Sequence, residues 1–277
     1  MPALIVLATI VWIALLLFSI YVIVLVCPRA KQPEDKTLIC EYAHRGLHGD
    51  GVPENSLAAF KLACNNGFAI ELDVHLSKDK EVMVFHDGSL KRMTGCDKGI
   101  HELTYAELSE LRLAGTDEKI PTLREVLELV DGKVPLLIEL KGENTDTSIC
   151  PEVAKLLREY QGSYCIESFN PLLLGEMRKH LPEAYYGLLY TNLCREKRKK
   201  KKVSALDVLI SCMALNFLAK PNFIAFNKHD RDSFPVRLTT RFFGAPKYVW
   251  TIRSDEELEI ARKNGECPIF EHCNSRH

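Results

Sequence analysis

From about residue 38 to residue 271 the chain keeps one rhythm. A short apolar run is followed by a longer segment whose apolar positions fall three and four apart, and then the pattern begins again. The apolar runs are "LICEYA", "FAIELDV", "PLLIELK", "SYCIESF", "YYGLLY", "FIAFN", "KYVWTI" and "PIFE". Runs of this length suit buried strands, and the amphipathic segments between them suit helices. Several helix boundaries are marked. Thr122 with Glu125, and Ser254 with Glu257, read as capping boxes, and Gly132 and Gly265 read as the matching stops. Asn55 reads as the cap of a helix that carries Leu57, Phe60 and Cys64 on one face and stops at Gly67. The alternation predicts an α/β fold, a (β/α)8 barrel of TIM type, with an open doubly wound sheet as the rival. Neither a GxGxxG nor a GxxxxGK[ST] pattern follows the first run, which counts against the rival.

One segment breaks the alternation. "ELDVHLSKDKEVMVFHD" holds two strand-like runs only a few residues apart. A parallel crossover needs a dozen residues or more, so these two runs must form an antiparallel hairpin. A turn centred near Lys78 to Lys80 sets His86 opposite Asp73.

The amino terminus follows a different rule. From Ala3 to Cys27 no charged residue appears, and such a run is long enough to cross a bilayer as a helix. A cleaved signal peptide fits poorly: no Lys or Arg precedes the run, it exceeds a signal core in length, and no A-x-A site follows. The expected organisation is an anchor over 1–28, a polar linker over 29–37, and one catalytic-size domain over 38–277.

Composition narrows the function. With 47% hydrophobic and 26% charged residues the chain is an ordinary globular one. Its formal net charge of −1 gives no overall basic field, which argues against nucleic acid as the partner. The 10 cysteines are scattered singly, without CxxC or zinc spacing, and suit free thiols in a reducing compartment.

The charges that matter sit where the apolar runs end. The first run stops at His44-Arg45, the second carries Glu71 and Asp73, the hairpin ends at His86-Asp87, and the next run carries Glu139 and Lys141. Residues two apart on a strand point the same way. In a barrel the carboxyl ends of the strands converge on one face, where active sites form. Carboxylates gathered there repel one another unless a cation lies between them, and all-oxygen donors suit Mg2+ or Ca2+ rather than zinc. Two histidines remain for proton transfer, and Arg45 with Lys141 can hold a phosphate.

The order H-R-G, P-E-N, E-L-D-V, H-D, E-L-K resembles the glycerophosphodiester phosphodiesterase family, and "RMTG", "IPTLREVL", "SFNP", "VWTI" and "PIFEH" resemble its later segments. The resemblance covers the chain from Ile39 onward. It implies a (β/α)8 barrel with a divalent metal that releases an alcohol and glycerol 3-phosphate from glycerophosphodiesters. By the same resemblance His44 and His86 are the acid–base pair, and Glu71, Asp73 and Glu139 are the metal ligands. Arg45 and Lys141 match phosphate-contacting positions, Glu54 and Asn55 belong to a supporting loop motif, and Phe169 and Trp250 match aromatic positions near the glycerol. Residues 87–120 match a small helical insertion over the barrel. "PENS" departs from the family's usual threonine, a change that keeps a capping hydroxyl.

A lysophospholipase D-type activity on membrane lipids and a non-catalytic, membrane-tethered binding barrel are the alternatives to this reading. Residues 209–220, "LISCMALNFLAK", read as buried helix in preference to an apolar groove at the mouth. "REKRKKKK", residues 195–202, reads as a solvated charge run or as a segment attracted to anionic lipid. Arg29, Lys31 and Lys36 follow the apolar run and no basic residue precedes it, so the positive-inside rule places the catalytic domain in the cytoplasm.

Overall fold

The computed structural model describes residues 2–142, 145–198 and 202–272. Its elements follow in chain order. Helix α1 is Pro2–Ile20, continued by a wider turn over Tyr21–Val26. Then come β1 Tyr42–Ala43, α2 Leu57–Asn65, β2 Ala69–Leu76 and β3 Val82–Val84. Short helices α3 Lys91–Thr94 and α4 Tyr105–Ser109 precede α5 Leu123–Val130 and β4 Leu136–Leu140. The alternation resumes with α6 Ile149–Glu159, β5 Tyr164–Ser168, α7 Pro171–His180 and β6 Tyr185–Tyr190. Three helices, α8 Leu193–Arg198, α9 Ala205–Ser211 and α10 Asn216–Ala219, lead to β7 Phe223–Asn227. Helix α11 Phe234–Arg237, β8 Lys247–Ile252, α12 Asp255–Lys263 and β9 Cys267–Phe270 complete it.

Every expected run is a strand, and the ring closes. Strand β1 pairs in parallel with both β2 and β9, so β1, β2 and β4 to β9 form a closed parallel barrel, the expected TIM type. Pleating sorts each strand into two sets. In β4, Leu136, Ile138 and Leu140 join the core shared with the surrounding helices, while Leu137 joins a separate cluster inside the barrel. The interior is layered. Its floor is aromatic: the Tyr185 ring stacks on Phe223 at 5.1 Å, and Phe223 lies 4.1 Å from Tyr248. Tyr42 and Tyr248 hydroxyls both donate to the Leu38 carbonyl, closing the base. Gly187 is required there, because a Cβ on it would lie 2.0 Å from the Phe223 ring. Above the floor the inward positions become charged.

Three expectations need correction. The hairpin forms, but its ladder pairs Val74 with Val84 and Leu76 with Val82, and the Phe85 amide donates to the Asp73 carbonyl. Phe85, not His86, therefore opposes Asp73. The Ser77 and Glu81 backbones close the turn, which leaves three residues in the loop with Lys80 in the left-handed region, and this fixes the register. The cap of α2 is Ser56, whose hydroxyl accepts from the Ala59 amide; Asn55 stands before it at φ 53° and turns its side chain elsewhere. Residues 209–220 are only half buried: Met213, Ala214 and Ala219 are core, whereas Leu209, Phe217 and Leu218 are exposed.

Other features sharpen the expectations. Residues 87–120 carry α3 and α4 around a small core of their own, with Leu90, Met93, Leu103 and Leu108 packed on Met83 and Phe85 of the hairpin. Thr122 and Glu125 form a full capping box. Ser254 accepts from the Glu257 amide, but the Glu257 carboxylate accepts from Arg253 and Lys228 instead of completing the box. Residues 29–38 pack along the barrel base, where the Arg29 amide donates to the Pro221 carbonyl and the Tyr185 hydroxyl donates to the Lys31 carbonyl. The nine described cysteines are all free thiols.

Candidate active site

The barrel register explains why acidic residues meet. Asp73 pairs with Glu139, and Glu139 pairs with Glu167, so β2, β4 and β5 present one carboxylate each at the same height. Glu71 lies one inward step below Asp73 on β2. Glu71, Asp73 and Glu139 are all buried, and one oxygen from each can lie within 4.8 Å of the others. Lys141, one inward step above Glu139, sits 2.9 Å from Asp73 and 2.7 Å from Glu139.

The segment after β1 brings cations to this row. Arg45 adopts φ 56°, and Gly46 follows at φ 78°, where a Cβ would meet Ala59 and Phe60 at 2.9 Å. That tight turn demands glycine and folds Arg45 back over β2. Its amide donates to Glu71 at 2.8 Å, its guanidinium donates to Glu54 at 2.8 Å, and its Nε lies 3.5 Å from Asp73. Asn55 is nearly inaccessible and donates to Asp73 Oδ2 at 2.8 Å, which explains why it is not the helix cap. Glu54 also accepts from Arg92 of the insertion, at 2.6 Å, so the insertion is tied to the rim.

Each histidine commits one nitrogen to a carboxylate. His44 Nδ1 pairs with Glu271 in a very short contact, and its Nε2 lies 3.9 Å from Glu71. His86 Nδ1 lies 2.7 Å from Asp87, which in turn accepts from Arg92 Nε at 2.6 Å. With Nδ1 occupied in this way, Nε2 is the nitrogen each ring presents to the cavity. The ladder ends at Val84, so pleating no longer dictates the direction of His86; a contact of 3.1 Å between His75 Nε2 and the His86 carbonyl holds it instead.

The electrostatics are divided. Burial and then the neighbouring Asp73 and Glu139 charges hold the Glu71 carboxyl well above the usual range. Burial also pushes Glu139 up to about 7 against the pull of Lys141, and burial with Glu139 raises Glu167 strongly. Asp73 goes the other way: burial opposes its ionisation, but the charges of Lys141 and Arg45 prevail and keep it ionised. Burial lowers His86, helped by Lys141 and Arg45, so its imidazole is neutral at physiological pH. Burial opposes ionisation of Glu271, but its bonds to His44 and Arg253 prevail and hold it far below the usual range.

A cavity of about 220 Å³ opens among these groups, lined by both histidines, Arg45, Lys141, Glu71, Glu139 and Glu167. Phe169 and Trp250 form its far wall as an edge-to-face pair 5.6 Å apart, and the Trp250 indole donates to the Ala225 carbonyl. All eleven residues singled out in the sequence thus gather at one barrel mouth. Glu167, Glu271, Asp87 and Arg92 were missed as site residues. Glu167 and Glu271 obey the rule that revealed the others, a charge at the end of an apolar run, in "YCIES" and "PIFE". Residues 199–201 of the basic run lie outside the described residues.

A closed parallel barrel with clustered carboxylates, two carboxylate-held histidines and two cations at its mouth defines a class: a TIM barrel with a charged, carboxylate-rich mouth. The chain belongs to the glycerophosphoryl diester phosphodiesterase family, whose profile matches residues 44–271. A glycerophosphodiester phosphodiesterase of Caldanaerobacter subterraneus subsp. tengcongensis is 39% identical over 168 residues, 56% of this chain and 67% of that protein. The lysophospholipase D GDPD1 of Rattus norvegicus is 35% identical over 132 residues, covering 43% of this chain and 41% of its own length. Among solved structures, an Oleispira antarctica phosphodiesterase in complex with the product sn-glycerol-3-phosphate superposes with a TM-score of 0.69 at 25% identity, over 84% of this chain and 92% of that one.

Proposed function

We propose that this chain hydrolyses glycerophosphodiesters to an alcohol and glycerol 3-phosphate, with one divalent cation and a His44/His86 acid–base pair. The observation that carries the reading is the buried Glu71–Asp73–Glu139 cluster beside the cavity that both histidines line. The donor set fits a hard cation: three carboxylates and no thiol, with burial and mutual repulsion raising Glu71 and Glu139 in the absence of a cation. Glu71, Asp73 and Glu139 would hold Mg2+ or Ca2+, which supplies charge neutralisation at the phosphoryl oxygens.

The chain's own groups do the rest. Arg45 and Lys141 line the cavity and bind the remaining phosphate oxygens. Phe169 and Trp250 pack against the glycerol carbons. Neutral His86 takes the proton of the attacking hydroxyl through Nε2, whether that hydroxyl belongs to water or to the substrate's own glycerol. His44, with Nδ1 held by Glu271, returns a proton to the leaving alcohol oxygen. Water enters once overall, and the phosphodiester bond to the alcohol is replaced by a P–O bond from that water. Release of glycerol 3-phosphate that EDTA abolishes tests the reading.

A second substrate class is supported by the similarity to a lysophospholipase D and by α1. A lysophospholipid carries the same phosphodiester, and residues 3–26 form a helix long and apolar enough to cross a bilayer. We read that helix as a single-pass anchor with the barrel in the cytoplasm, on the basic residues that follow it.

A further inference from the structure

The direction in which α1 leaves the barrel bears on what the mouth faces. At the base, the Arg29 amide bonds to Pro221 and Asn222 Nδ2 donates to the Arg29 carbonyl, directly before the first residue of β7. Farther back along the chain, the Val26 carbonyl accepts from Asn216, and the Tyr21 hydroxyl donates to the Cys212 carbonyl. Cys212 lies at mouth level, because Tyr190, the last residue of β6, donates to the neighbouring Ser211 carbonyl. Phe18 then lies 6.4 Å from Phe234, which follows the carboxyl end of β7. The helix therefore climbs the barrel wall from base to mouth, and residues 3–17 continue beyond the mouth. Residues 3–20 are all exposed. At about 1.5 Å per residue they span about 27 Å, close to the hydrocarbon thickness of a bilayer.

The rim beside that helix is unusual. Helix α9 is inverted: Asp207 and Ser211 are buried, whereas Leu206, Val208 and Leu209 face outward at 56%, 46% and 44% exposure. The buried polar pair is satisfied, since Asp207 accepts from Lys197 and Ser204 and Ser211 accepts from the Cys194 amide. Phe234 adds an exposed aromatic ring after β7, with exposed Arg237 one turn on. Apolar side chains beside a cation, continuous with an apolar helix, match what sits in a lipid interface.

We infer that the rim formed by α9 and Phe234 rests in the same bilayer that α1 enters, so that the barrel mouth is turned toward the lipid surface. The inference rests on the reading of α1 as a membrane span. It gives an amphiphilic phosphodiester a route to the site at the level of its head group, without leaving the membrane surface.

The test uses the full chain in phosphatidylcholine vesicles with ordinary or brominated acyl chains. In a Trp12→Phe background, Phe234→Trp reports the rim and Lys133→Trp reports the base, with Trp250 common to both. The added emission of Phe234→Trp is expected to be blue-shifted and lost in brominated vesicles, and that of Lys133→Trp to be unchanged. Unquenched emission at position 234 overturns the inference. So does a blue shift that depends on protein concentration instead of bromination, which assigns the face to a second copy of the chain. In parallel, Leu206→Ser/Phe234→Ser should keep its turnover of a soluble glycerophosphodiester in detergent and lose turnover of lysophospholipid embedded in vesicles. Absent turnover of the soluble diester in the parent chain contradicts the proposed reaction, while the quenching result still decides the surface.

Discussion

Carboxylates set the site's behaviour residue by residue. Unfolded, Glu139 titrates as an ordinary carboxylate, near 4.5; folded and without a cation, burial pushes it up to about 7. Between those values the folded protein keeps a proton that the unfolded chain has released, so this group's contribution to stability is lost as pH rises through that window. Glu139→Gln removes the dependence. In EDTA, the stability of Glu139→Gln relative to the parent should improve from pH 5 to pH 8, by about 3 kcal/mol at most. A difference that does not vary with pH contradicts the assigned environment. The same substitution should abolish turnover, as should Glu71→Ala and Asp73→Ala with the fold intact; activity in two of these three variants excludes the metal site. His86→Ala and His44→Ala should each lower turnover about 10²-fold or more, the usual cost of losing a general acid or base.

At the level of elements, packing inside the barrel is the constraint. Gly187 faces a ring held between Tyr185 and Tyr248, so Gly187→Ala has nowhere to place its methyl. Overpacking of this kind should destabilise the fold by about 1–3 kcal/mol in chemical denaturation; an unchanged midpoint means the floor is looser than described. The strands were legible in the sequence because a barrel strand is apolar on both faces near its base, and that leaves uninterrupted runs. The polar ends of those runs revealed the site for the same reason. What the sequence hid are choices that depend on neighbours. Asn55 and Ser56 are both good caps, and only the need of Asp73 for a donor decides between them. The hairpin register hangs on a three-residue loop closed by Ser77 and Glu81, so counting from the turn placed His86 one step off. The half-exposed 209–220 segment followed from no local pattern, because which of its apolar residues pack inward depends on where α7 and the Tyr21–Val26 turn meet it.

For the whole molecule, the proposed cytoplasmic side of the membrane rests on the basic residues that follow the apolar run. Single-cysteine variants retaining Cys96 or Cys194 should resist a membrane-impermeant thiol reagent in intact cells and react after lysis; labelling without lysis places the barrel outside. The central claim concerns the reaction itself. The most direct measurement is release of glycerol 3-phosphate from a soluble glycerophosphodiester by the purified full chain, before and after EDTA and after adding back Mg2+ or Ca2+. The arrangement of Glu71, Asp73, Glu139, His44 and His86 predicts release that stops in EDTA, returns with the cation, and is largely lost in His86→Ala. No release with either cation, or equal release in EDTA, contradicts it.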